Sequence, residues 1–172
     1  MTMTRHLISA ICVLALSASA AVAQPTRPLE LGVDAGVTVG LGDNAVTVVD
    51  IPAQAFRIGF PMSSNITIEP KLGLTLITGE GDTFTSYRAE VGLLYHLNTL
   101  RSGTYLRPFV GLTGFSSGDT DETHGLIGGG VGIKVPLRDR IGSRFEANLA
   151  HSFGDGSFNQ IGLLAGLSFF TR

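Results

Sequence analysis

An all-β fold is predicted for this chain: an eight-stranded antiparallel up-and-down transmembrane β-barrel over residues 24–172, preceded by a cleaved signal peptide over residues 1–23. Three observations predict it. Apolar residues recur at every second position through most of the chain, turn-forming residues separate these stretches, and the positions between the apolar ones carry matched numbers of acids and bases.

The export segment comes first. Arg5 and His6 open a short basic start, an apolar run extends from Leu7 to Leu16, and Ala21-Val22-Ala23 precedes Gln24 as a small-residue cleavage site. The run is too short for a membrane-anchoring helix, and no stop-transfer charges follow it. The single cysteine, Cys12, falls within this segment, so no disulfide or thiolate chemistry is expected of the mature chain. Loss of Arg5 leaves eleven bases against 14 acids, moving the net charge from −2 to −3, which argues against nucleic acid as a partner.

Period-two alternation means a strand with one apolar face. The first strand reads Leu29, Leu31, Val33, Ala35, Val37 and Val39. The second lies between Val46 and Phe60, where Val49, Ile51, Ala53 and Ala55 keep one phase and Phe56, Ile58 and Phe60 the other; a bulge near Ala55 reconciles them. The third runs from Ile66 to Leu76, the fourth from Tyr87 to Leu97, the fifth through Leu106, Val110 and Leu112, and the sixth from Ile127 to Leu137. Phe145, Ala147 and Leu149 mark the seventh, and Ile161 to Phe169 the eighth. Between them stand turn or loop segments at 42–44, 61–65, 79–83, 98–103, 116–123, 138–142 and 154–157, rich in Gly, Asn, Asp and Ser. No segment reads as a crossover helix, so the sheet is expected to be antiparallel throughout. Pro70 and Pro108 fall inside strands, where each removes a ladder hydrogen bond, and local bulges are expected to absorb them.

A soluble lipocalin-like barrel would show the same alternation, so the polar face has to discriminate. It carries Glu30, Asp34, Asp50, Glu69, Glu90 and Glu146 against Arg57, Lys71, Arg88, Arg107, Lys134 and Arg144, six of each sign. A solvated face needs no such balance, whereas a narrow lumen must neutralise every ion it buries. The remaining inward positions are largely glycine (Gly32, Gly36, Gly73, Gly92, Gly111, Gly128, Gly130, Gly132, Gly162 and Gly166), which leaves room for long charged side chains. These twelve ions are therefore expected to form a structural charge network that plugs the lumen, in preference to lining a narrow pore. On this reading Gly92→Ala is expected to be mild.

The connections separate by charge. Alternate loops carry Asp43, Glu80, Asp82, Asp119, Asp121, Glu122 and Asp155 without a base, while the other set and the termini carry Arg27, Arg101, Arg138, Asp139, Arg140 and Arg172. With both termini in the periplasm, the acidic loops face outward. Phe60, Tyr95, Phe145 and Phe169 then form an inner aromatic girdle, and Tyr87, Phe115 and Phe153 an outer one.

Three segments carry a resemblance: Arg107-Pro108-Phe109-Val110-Gly111-Leu112, Gly128-Gly129-Gly130-Val131-Gly132-Ile133-Lys134, and the final strand from Gln160 to Phe170. They resemble the small outer-membrane β-barrels that include OmpX, the OmpA transmembrane domain and the opacity-type adhesins. The last segment is similar to the C-terminal signal read by the barrel-assembly machinery, although here Thr171 and Arg172 follow the aromatics. The resemblance implies residence in the outer membrane of a Gram-negative-type bacterium. It also implies contact with outer-membrane lipid and lipopolysaccharide, engagement of the assembly machinery during biogenesis, and a monomer with a structural or surface-interaction role.

Lipid A-modifying enzymes also use eight-stranded barrels, and His151-Ser152 near Asp155 is the best local match to a hydrolytic constellation. The two residues are adjacent and so point to opposite faces, which leaves catalysis unsupported. Asp119, Asp121, Glu122 and His124 in the longest loop lack the full spacing of a calcium loop and read as a solvated acidic tip. No catalytic, cofactor-binding or metal-ligating residue is expected.

Overall fold

The computed structural model describes residues 27–41, 47–78, 83–117, 120–154 and 157–171; of 47–54, 76–78, 83–84, 117 and 120 it describes the backbone alone. The expected signal peptide lies outside the described residues. Eight strands follow in order: β1 (Glu30–Leu41), β2 (Thr47–Pro61), β3 (Ile66–Thr78), β4 (Thr83–His96), β5 (Gly103–Ser117), β6 (Thr120–Arg138), β7 (Ile141–Phe153) and β8 (Phe158–Phe170). Each pairs antiparallel with its neighbour in sequence, and β1 pairs with β8 from Glu30↔Phe170 to Leu41↔Asn159, closing the barrel. Closure leaves no free sheet edge, the condition for a sheet to sit in hydrocarbon. The shortest strand has 12 residues, more than the ~9–11 a tilted strand needs to cross a bilayer.

The alternation sorts the residues as its period requires. Leu31, Val33, Leu72, Leu74, Val91, Leu93, Val110, Val131 and Leu163 are exposed on the outer wall, while Glu30, Asp34, Glu69, Arg107 and Glu146 are buried inside. A water-soluble barrel would have the opposite polarity, and the exposed large apolar side chains that occur on every strand among the described residues make a surface built for lipid.

The β1–β2 register shifts where Asp34 pairs with Ala55 but Gly36 pairs with Asp50, so β2 carries the extra residues beside Ala55 and changes phase there. The prolines need no bulge. The β3–β4 register runs unshifted through Pro70↔Val91, and the β5–β6 register through Pro108↔Gly129. On the other side of each proline two paired positions are missing while the register resumes unchanged, from Arg57↔Lys71 to Phe60↔Ile68 and from Gly92↔Phe109 to Tyr95↔Leu106. A proline thus costs local pairing and leaves the register as it was. The bulge at the end bearing the chain termini lies between Pro136 and Arg138, beside the tight turn into β7.

Two sequence readings are corrected. The loop expected over 116–123 is largely strand, because Ser116 pairs with Asp121 and Phe115 with Glu122, so pairing outweighs the polarity of these residues. Phe115 stands on the inward phase of Phe109 and Thr113, so it is not an outer-girdle residue. Tyr95, Phe145, Phe153 and Phe169 are exposed on the wall, as a girdle requires.

Candidate functional site

The barrel interior is layered along its axis. Nearest the chain termini, His96 of β4 meets Thr67 of β3 at 3.0 Å above buried Leu94. Next comes a connected set of ions. Arg57 lies 2.6 Å from Glu30, 3.0 Å from Asp34 and 3.5 Å from Glu69. Glu69 also receives Arg107 at 3.2 Å and Arg144 at 2.5 Å, so one fully buried carboxylate faces three guanidinium groups. Glu146 takes Arg144 at 2.5 Å and Arg107 at 3.5 Å. Glu90 draws in Arg107 at 2.8 Å, Arg88 at 3.1 Å and Lys71 at 3.9 Å, and Lys71 reaches back to Asp34 at 3.2 Å. Lys134 of β6 crosses the lumen to Glu30 of β1 and donates to the Leu100 carbonyl at 3.1 Å.

The structure thus brings together Glu30, Asp34, Arg57, Glu69, Lys71, Arg88, Glu90, Arg107, Lys134, Arg144 and Glu146. The side chain of Asp50 lies outside the described residues, and its backbone pairs with Gly36 on the inward phase. Three further members escape a reading based on charge alone. Tyr105 accepts from Arg144 Nε at 2.5 Å and donates to Glu146 at 2.8 Å; Ser168 accepts from Arg57 at 2.7 Å and donates to Glu30 at 2.7 Å; Asn148 donates to Glu146 at 3.4 Å. All three sit on inward phases that the alternation marks. Such neutral bridges complete the hydrogen bonding of ions that water cannot reach.

The inward glycines make this packing possible. A Cβ at Gly32 would meet the Arg57 guanidinium, one at Gly166 the Asp34 carboxylate, and one at Gly92 would stand 2.5 Å from Arg107 Nε. A methyl group at Gly92 would therefore oblige Arg107 to shift within its contacts to Glu69 and Glu90, a crowding that the alternation does not reveal. At Gly128 and Gly132 the occupants are the rings of Phe109 and Tyr105.

Above the ions lies an apolar layer of Phe109, Leu126 and Ala150. Phe109 is tied to the charges below, with the Arg107 guanidinium 4.8 Å and that of Arg88 5.9 Å from its ring centre. Toward the far end stand buried His124, Ser152 and Gln160, with His124 3.3 Å from Glu122. Ser152 faces inward and is fully buried, whereas His151 lies exposed on the wall, bonded to Asn159 at 2.9 Å. The wall separates the two halves of the hydrolytic pair, and Asp155 is outside the described residues. Among the described residues, no three side chains are grouped to hold a metal ion.

A closed eight-stranded wall, apolar outside and charged within, is the architecture of a small outer-membrane barrel, and the sequence profile of the outer membrane protein beta-barrel domain family matches residues 8–169. The chain belongs to that family. No curated protein matches this outer-membrane barrel in sequence. Solved structures similar to it in fold include Neisserial surface protein A (NspA), at TM-score 0.63 and 14% identity, covering 82% of this chain and 96% of that one. Ail, the attachment invasion locus protein of Yersinia pestis, aligns at TM-score 0.52 and 13% identity, covering 84% and 98%.

Proposed function

We propose that this outer-membrane barrel is exported through a signal peptide over residues 1–23, is assembled by the barrel-assembly machinery, and works as a non-enzymatic monomer with a structural or surface-interaction role. The observation that carries this reading is the stoppered interior, in which a cross-linked layer of ions lies beneath the Phe109–Leu126–Ala150 layer. A barrel filled in this way offers its wall and outer rim for function. Placing the termini in the periplasm puts Asp121 and Glu122, both exposed, on the outer side.

An acidic rim favours lipopolysaccharide approached through bridging divalent cations. Ail has been solved with the heparin analogue sucrose octasulfate; a polyanion of that kind is a poor match for the carboxylates at this rim. The refolded mature chain is expected to show no conductance steps in a planar bilayer and to gain thermal stability from lipopolysaccharide only when magnesium is present. Steady conductance would replace the plug with a pore, and cation-independent stabilisation would remove the bridging role.

A further inference from the structure

Three exposed arginines stand on neighbouring turns of the rim that bears the termini: Arg101 in the β4–β5 turn, and Arg138 and Arg140 flanking the β6–β7 turn. Asp139 is the one exposed acid at this end among the described residues. The β2–β3 turn, Met62 to Asn65, carries no charge, so the basic patch centres on these two turns.

The patch is also rigidly built. Arg101 donates to the Asp139 carbonyl at 3.0 Å and lies 5.1 Å from the Phe170 ring centre, while the Phe170 amide donates to the Arg140 carbonyl at 2.9 Å. Two turns and the end of β8 are thereby locked together. The guanidinium groups of Arg138 and Arg140 have no intramolecular partner among the described residues, so their donors are available. Exposed Leu137 adjoins Arg138 in sequence, and exposed Phe169 pairs with Ile141, the residue after Arg140.

We infer that this platform is a binding site for the phosphate headgroup of an anionic phospholipid, whose acyl chains lie against Leu137 and Phe169. Two features favour this occupant over an acidic protein or cell-wall carboxylates. The basic patch complements a phosphate, which guanidinium groups bind in bidentate fashion. It is also continuous with the lipid-facing wall, so one amphiphile satisfies both surfaces. The inference rests on the membrane reading above.

The test uses the mature chain refolded in vesicles of phosphatidylcholine alone or mixed with phosphatidylglycerol, with folding read by heat-modifiable gel mobility and bound lipid by native mass spectrometry. Phosphatidylglycerol should be retained several-fold over phosphatidylcholine, and the preference should fall with added salt. The double variant Arg138→Gln, Arg140→Gln should still fold and lose the preference, and the Lys pair, which keeps the charge without the bidentate fork, should keep only part of it. Equal retention of both lipids by the parent chain, or an unchanged preference in the Gln pair, would overturn the site, as would capture of cell-wall fragments without lipid preference. A chain that folds in neither vesicle would overturn the membrane reading together with the site.

Discussion

Glu69 shows how the interior holds together, because three guanidinium groups from three different strands converge on it at full burial. Removing one partner of a buried ion pair costs about 3–5 kcal/mol. Glu69→Gln should therefore lower the unfolding free energy of the refolded barrel, measured in urea, by an amount of that order. The glycines give a second, paired expectation. Gly92→Ala should destabilise by about 1–3 kcal/mol, the usual cost of overpacking, whereas Gly129→Ala, whose Cβ would meet nothing within 4 Å, should be neutral or slightly stabilising in the same unfolding assay. At this scale the alternation revealed which side chains face inward, and charge balance revealed why. Neither shows depth, which is why Tyr105 and Ser168 passed as ordinary strand residues and why the crowding at Gly92 was invisible.

For the strands, facing is the property a substitution can probe. Leu93 on β4 and Val131 on β6 are 42% and 48% exposed on the wall. Replacing either by Arg should cost roughly 2–4 kcal/mol near the midplane, read as loss of the folded, faster-migrating gel species in vesicles. Unimpaired folding of both Arg variants would contradict the facing. All eight strands and the phase change in β2 were legible, since both follow from period two. The strand ends were less so. Asp121 to His124 look like loop residues, but pairing with Thr113 to Ser116 continues the sheet through them. The prolines were over-interpreted, because a strand flanked on both sides loses two paired positions on one side without changing register.

Across the whole molecule, the ion contacts join strands that are not neighbours: Lys134 of β6 to Glu30 of β1, Arg144 of β7 to Glu69 of β3, and Arg107 of β5 to Glu69 and Glu146. A double-mutant cycle on Arg144 and Glu69 should show coupling of about 0.5–3 kcal/mol despite their separation in sequence. Loss of one cross-lumen pair should also sharpen sensitivity to loss of another, which additive single variants would exclude.

The seam between β1 and β8 gives these cross-links a place in time. Glu30 is compensated by a residue from β6, by Arg57 of β2 and by Ser168 of β8, so its partners are complete only once the last strand has docked on the first. Until that moment the growing sheet holds uncompensated ions on one face, a state that hydrocarbon penalises heavily. Docking of β8 on β1 is therefore expected to be a late step of maturation, and weakening Ser168 or Lys134 should slow it more than it slows the forming of any hairpin.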